Sequence, residues 1–188
     1  MGALIWGLYL AAQVPTVPEL ETTNAHLVSF YRKRDAIENA LQRKRAADVT
    51  FSEAELNAYL QSLKLDEPTG RGVAVKVSKL RLSMDSQGAT ATILGKIAFG
   101  ERWEKKLALR YTVQPQLTEG RLTFKPVAGR IGDLPVPRFF LEHTPFMERW
   151  FAQVFGQLKD DAELLRAAAA IETHTQALRV KIAASPAS

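Results

Sequence analysis

Residue types that often carry chemistry are scattered along this chain of 188 residues. The three histidines, His26, His143 and His174, lie far apart and show no HxxxH or HxH spacing, so the sequence places no pair of them for a shared metal ion. The absence of cysteine excludes disulfides, thiolate metal ligands and cysteine nucleophiles. Asp160 and Asp161 could bind a cation, but acids in the first turn of a short predicted helix also interact favourably with the helix dipole.

Motifs of common enzyme classes are missing from the sequence. It contains no G-x-S-x-G nucleophile elbow, no P-loop and no G-x-G-x-x-G dinucleotide fingerprint. Hydrophobic residues make up 46% of the chain, which is ordinary for a globular protein and argues against disorder throughout. The sequence therefore predicts a folded, non-catalytic protein that needs no cofactor or metal, with an enzyme as the minor alternative.

Positive charge is concentrated on a predicted helix that begins after Thr23 or Asn24 and runs to about Ala47. Two basic triplets, 32–34 and 43–45, lie eleven residues apart, which is close to three helical turns, so equivalent members share one side. This strip either contacts anionic lipid headgroups, binds nucleic-acid phosphates, or is simply a solvated helix face. The predicted headgroup contacts are Arg32, Lys33, Arg43 and Lys44.

The start of the chain is apolar, and no charged residue precedes Glu19. As a helix, the apolar run 2–14 is roughly 20 Å long, whereas a bilayer core is about 30 Å thick. The run also lacks the basic residues with which a signal peptide begins. A translation start further upstream would account for both the short length and the missing basic residues. Since a soluble helix usually shows a polar face, the sequence favours a membrane tether or signal-like segment with a proline stalk over an ordinary buried helix.

The elements that must position any site are predicted by the hydrophobic periodicity. From Val73 to Lys125 the period is two, the turn signals DSQG, GERW and LTEG separate four stretches, and a parity switch near Ser78-Lys79 predicts a bulge or bend. No helix separates these strands, which excludes a doubly wound nucleotide-binding sheet. The pattern predicts an α+β fold, in which an antiparallel β-meander sheet of about four to six strands packs against N-terminal and C-terminal helices.

The helices on either side of the meander also have sequence signals. The stretch FSEAELNAYLQSL predicts a helix that begins with a capping box of Ser52 and Glu55. An aromatic-rich helix is predicted at about 145–158, and a last strand within 171–182, where apolar residues alternate. The predicted organisation is a tether or signal-like segment with a proline stalk at 1–18, a single α+β domain at 19–183 and a mobile tail at 184–188.

An apolar sheet face under an aromatic helix is either a closed core or a groove for an acyl chain. Burial of a methylene contributes about 0.8 kcal/mol, so a sheltered chain of about ten methylenes gains on the order of 8 kcal/mol without any motif. The predicted groove is lined by Ile93, Ile97, Leu109, Tyr111, Phe124, Trp150, Phe151 and Val154. The alternatives are a structural protein-interaction module of the cell envelope with a closed core, and nucleic-acid binding through the basic helix.

Three features in chain order resemble the YpmS-type family of small, membrane-tethered bacterial proteins. They are the N-terminal hydrophobic segment before a helix, the stretch VTFSEAELNAYLQSL, and the stretch GRIGDLPVPRFFL after the meander, which is similar to the family's G-x-LP-x-P stretch. More distantly, the order of elements resembles half of a tubular lipid-binding domain. The resemblance implies a membrane-associated, extracytoplasmic domain in the periplasm or at the outer face of the inner membrane. Its expected partners are a membrane lipid or another amphiphile and an envelope protein, with no nucleic acid.

Overall fold

The computed structural model of the protein describes residues 13, 20–63, 69–70, 73–99, 103–118, 121–137, 139, 164 and 167–184. The helices in these ranges are α1 (Asn24–Gln42) and α2 (Glu53–Ser62). The strands are β1 (Ala47–Ser52), β2 (Thr69–Gly70), β3 (Val73–Asp85), β4 (Gly88–Phe99), β5 (Trp103–Thr118), β6 (Arg121–Ile131), β7 (Leu134–Pro135), β8 (Ala170–His174) and β9 (Ala177–Ile182).

These strands form two antiparallel sheets. In the larger sheet the order is β2-β3-β4-β5-β6-β7, so each strand pairs with the next one along the chain, and the smaller sheet has the order β1-β9-β8. Since β2 and β7 contain two residues each, the larger sheet is essentially the meander β3 to β6 with a short strand at each end. The predicted α+β fold with an antiparallel meander of four to six strands is confirmed.

Helix α1 begins where the sequence predicts but ends earlier. The Thr23 hydroxyl accepts a hydrogen bond from the His26 N–H, and the Thr23 N–H donates to His26 Nδ1, which closes a capping box. At the other end Lys44 has a left-handed backbone with φ 54°, and the Arg45 N–H donates to the Ala40 carbonyl at 2.9 Å. This arrangement stops the helix at Gln42 rather than near residue 47.

Strand β1, which the sequence did not predict, follows this turn. Its apolar side chains alternate with polar ones, and Val49 and Phe51 lie opposite Val180 and Leu178 of β9. The predicted last strand within 171–182 is two strands, because β8 and β9 form a hairpin in which Ile171 also pairs with Val180. The smaller sheet therefore joins the region before the meander to the region after it.

One face of the smaller sheet forms a core with both helices. Phe30 of α1 stacks on Tyr59 of α2 with ring centroids 4.2 Å apart and contacts Phe51 of β1 at 5.3 Å. Val180 has no exposed surface and lies in the same cluster as Ile37. The helices are thus held to the smaller sheet mainly by burial of apolar and aromatic surface.

The meander has a bulge where the parity of its first strand changes. The register of β3 against β4 shifts between Val77 and Lys79, which leaves Ser78 as the extra residue and confirms the predicted irregularity. After the bulge Leu80 lies opposite Ile93, which lies opposite Leu109. These three side chains share one face of the sheet.

Some predictions fall outside the described residues. They are the aromatic helix at 145–158, the segment 1–18 apart from Gln13, and the last four residues of the tail.

Candidate functional site

Helix α2 lies along the edge of β3 and binds it through polar side chains. Asn57 has no exposed surface; its Nδ2 donates to the Leu82 carbonyl at 2.7 Å, and the Leu82 N–H donates to Asn57 Oδ1 at 2.8 Å. One turn earlier, Glu53 Oε2 accepts from the Met84 N–H at 3.1 Å. Four residues of a helix rise about 6 Å, and two residues of a strand rise about 6.7 Å. Every fourth residue of α2 can therefore reach every second residue of β3. The helix side chains therefore replace a neighbouring strand.

The turn between β8 and β9 completes the edge at Met84. Gln176 has a left-handed backbone with φ 59°, and its N–H donates to the Met84 carbonyl at 3.1 Å. The Gln176 carbonyl accepts from the Glu53 N–H at 2.8 Å, which also satisfies one of the free amides at the start of α2. One residue thus joins the hairpin, the helix and the larger sheet.

The charge of buried Glu53 is balanced by Arg81 of β3. Arg81 Nη2 lies 3.4 Å from Glu53 Oε1, and the two side chains are 17% and 9% exposed, respectively. Because a buried carboxylate is stable only when it is paired or hydrogen-bonded, this contact and the Met84 N–H account for the presence of Glu53 at the junction.

A second buried carboxylate, Glu55, joins α1 to the start of α2. Its oxygens accept from Lys33 Nζ at 2.7 Å, from the Ser29 hydroxyl at 2.5 Å and from the Ser52 N–H at 2.7 Å, and the last contact confirms the predicted capping box. Burial acts to raise the pKa of Glu55, but these hydrogen bonds and the charge of Lys33 outweigh it and lower the pKa below 4.5. Glu55 is therefore placed as a charged structural anchor rather than as a proton donor near neutral pH.

A cleft opens where the contacts between α2 and β3 end. It has a volume of about 660 Å³ and lies between the segment before α1, the end of α2 and the bulged part of β3. The apolar side chains in its walls are Leu20, Leu60, Leu63, Val77 and Leu80. Polar groups at the cleft include Glu21, Gln61 and Lys79. The exposed lining of the cleft is more polar than apolar, and the cleft is open to solvent rather than enclosed.

The predicted groove residues that the structure describes lie in a packed cluster beside this cleft. Ile93 is 5% exposed and forms a cluster with Leu80, against which Leu60, Val77 and Leu109 pack. Tyr111 is half-buried and lies two residues along β5 from Leu109, opposite Ala91 of β4. The structure therefore brings Ile93 and Leu109 together on one face, where Ile93 is buried in the cluster and Leu109 is half-buried.

The other predicted groove residues give less information. Ile97 of β4 and Phe124 of β6 are positions at which only the backbone is described. Trp150, Phe151 and Val154 lie outside the described residues.

The predicted basic strip is divided by the end of α1. Arg32 is exposed, whereas Lys33 is bound to Glu55. The helix ends before Arg43, and Lys44 turns the chain out of the helical path, so the two triplets do not continue on one helix. Contact of these four residues with anionic headgroups stays a prediction.

Described histidines have local partners rather than a shared site. His26 caps α1, and His174 Nε2 lies 3.4 Å from a carboxylate oxygen of Glu172, while His143 lies outside the described ranges. In the part of the chain that the structure describes, no three His, Asp or Glu side chains come together in a way that could hold a metal ion.

The row of polar side chains by which α2 binds the edge of β3 was not predicted from the sequence, although the sequence contains a signal for it. Glu53, Asn57 and Gln61 recur at spacings of four, which places three polar side chains on one helix face beside the apolar stripe. Such a row is as typical of a solvated face as of a sheet contact. What distinguishes the two is the position of the β3 edge, which depends on contacts distant in sequence.

Across the described ranges, no helix combines the length and the apolar character needed to cross a bilayer. Comparison with protein-family models and with curated protein sequences finds no match for the chain.

Proposed function

We propose that the protein is a non-catalytic interaction module of the cell envelope with a closed core, and that it binds a protein partner at the cleft beside β3. The observation that carries this proposal is the packing of Ile93, which is 5% exposed and lies with Leu80 beneath Leu60. This packing fills the space that an acyl groove would need on that part of the sheet. Polar side chains at the helix–sheet junction support the non-catalytic assignment, because Glu53, Glu55 and Asn57 are held by structural hydrogen bonds.

The envelope location is proposed from the sequence. The first 18 residues carry no charge, and the arrangement of motifs resembles tethered extracytoplasmic proteins. Cell fractionation of a C-terminally tagged chain, followed by protease treatment of spheroplasts, tests the location. A membrane-bound chain that external protease digests supports it, and a chain found only in the soluble cytoplasmic fraction contradicts it.

Binding of a lipid or another amphiphile is the second candidate, because Leu20, Leu60 and Leu63 give the cleft apolar walls. Titration with a fluorescent fatty acid and native mass spectrometry of the purified chain separate the two functions. If the protein is an interaction module, we expect no saturable binding of the fatty acid and no lipid bound to the purified chain. A bound amphiphile whose uptake is lost in Leu63→Glu, but not in the neighbouring Ser62→Glu, would establish the second candidate instead.

A further inference from the structure

We propose that the cleft binds an extended peptide, which adds a short strand to the edge of β3 at Leu80, a position to which no residue of the described ranges is bonded on that side. This inference rests on the proposed interaction function and names the chemistry of its partner.

The edge of β3 is covered over only part of its length in the described structure. Strand β2 pairs with Val73 and Ala74, and α2 together with the β8–β9 turn satisfies Leu82 and Met84. Backbone groups on a strand point to alternate sides, so the N–H and C=O of Leu80 point to the same edge as those of Leu82. Among the described residues, none is bonded to Leu80 at this edge. Leu80 instead forms part of the cleft wall.

No side chain of α2 is bonded to the Leu80 backbone, although the four-residue spacing of Glu53, Asn57 and Gln61 would allow such a contact. Glu53 binds Met84 and Asn57 binds Leu82, so a third contact would join Gln61 to Leu80. The Gln61 side-chain carbonyl instead accepts from the Thr22 hydroxyl at 2.7 Å, and α2 ends one residue later. Gln61 and Leu80 both line the cleft, which therefore takes the place of the third contact.

An extended peptide fits this site better than an acyl chain does. A peptide backbone supplies both a donor and an acceptor to the Leu80 peptide group, whereas a hydrocarbon chain supplies neither. Leucines in the walls offer apolar contacts to alternate side chains of such a strand, and Glu21 and Lys79 place both signs of charge at the cleft. The bulge at Ser78 interrupts the edge, so strand addition extends over about three residues.

The experiment begins with selection of short peptides from a display library against the full chain. Each selected peptide is synthesised twice, once unmodified and once with N-methyl groups at alternate backbone amides, which leaves the side chains unchanged and removes the strand hydrogen bonds. We expect the unmodified peptide to bind and the methylated form to lose at least about tenfold in affinity. Amide hydrogen exchange measured by NMR should show fast exchange at Leu80 in the free protein and slowed exchange with peptide, whereas Leu82 is protected in both.

Variants at the exposed end of α2 locate the site. Gln61→Trp fills the cleft and should weaken peptide binding at least about tenfold, whereas Ser62→Trp, at the neighbouring exposed position, should leave it unchanged. Thermal denaturation confirms that both variants are folded. Binding that ignores N-methylation or Gln61→Trp overturns the strand-addition site while leaving the interaction function in place.

The remaining outcomes also overturn the inference. If the library yields no binding peptide, the strand-addition site is overturned. If the same preparation also takes up a fatty acid saturably, the proposed interaction function is overturned as well. Protection of Leu80 that depends on protein concentration without peptide would show that a second copy of the chain covers the edge, and this also contradicts the proposal.

Discussion

The Asn57 side chain and the Leu82 peptide group form a pair of hydrogen bonds of the kind that normally joins two strands. The donor and acceptor of the amide meet the carbonyl and N–H of Leu82 at 2.7 and 2.8 Å, and Asn57 is completely buried. An uncovered strand edge exposes such groups to any extended chain, and proteins commonly cover edges with a helix or loop. Here one helix side chain provides the cover, and its coverage ends at the cleft.

Replacement of Asn57 should therefore lower stability strongly. Asn57→Leu keeps a side chain of similar size but leaves the N–H and C=O of Leu82, which are partly buried, without these partners. Each unsatisfied group costs about 1–3 kcal/mol, so we expect the free energy of unfolding to fall by about 2–4 kcal/mol. Urea denaturation measures the change. Gln61→Ala, on the same helix face but exposed, should change stability by less than about 0.5 kcal/mol; an equal loss in both variants would contradict the assignment.

The meander was predictable because its signals are local. The turn between β3 and β4 shows this, since the Asp85 side chain accepts from the N–H groups of Gln87 and Gly88, as its DSQG sequence suggests. Alternation also placed Ile93 and Leu109 correctly on one face. Whether that face is open depends on Leu60 of α2, which packs on it from a distant part of the chain.

Strand β1 and the end of α1 were missed for different physical reasons. A strand of six residues between two helices has a weak periodic signal, and β1 is stabilised by β9, where Asp48 pairs with Arg179 across 131 positions of sequence. The left-handed residue that follows α1 is Lys44 rather than a glycine, so the usual sequence marker of a left-handed turn after a helix is absent.

Acid sensitivity should depend on Glu55. Its pKa is lower in the folded protein than its ordinary value of 4.5, so the folded state binds this proton less readily than the unfolded state. The resulting stabilisation is complete above pH 4.5 and is lost as the pH falls through the folded pKa. In Glu55→Gln, the free energy of unfolding should therefore fall less steeply with acidification below this pH than in the wild type.

Urea denaturation at several pH values gives this slope. Glu38→Gln is a matched control, because Glu38 is a more exposed carboxylate, 3.7 Å from Arg34. A Glu55→Gln curve that parallels the wild type in acid would show that Glu55 does not make the expected contribution.

The turn after α1 should become more stable with glycine. Lys44 has φ 54°, a conformation that costs a non-glycine residue about 1 kcal/mol and costs glycine little. We expect Lys44→Gly to raise the free energy of unfolding by about 0.5–1 kcal/mol, as measured by chemical denaturation. Arg43→Gly, at φ −89°, gains no such relief and should be neutral or destabilising. A stability loss in Lys44→Gly would contradict the idea that backbone strain is stored at this turn.

The predicted headgroup contact can be tested on vesicles containing phosphatidylglycerol. A basic residue near an anionic surface contributes about 1 kcal/mol, so Arg32→Gln and Arg43→Gln should each weaken binding by about fivefold, and added salt should reduce the difference. Arg179→Gln is the control, because this arginine lies on β9 outside the predicted strip and already pairs with Asp48. Co-sedimentation measures the affinities. Equal losses in all three variants would indicate attraction by net charge alone, and no loss in the first two would show that the exposed end of α1 does not face a membrane.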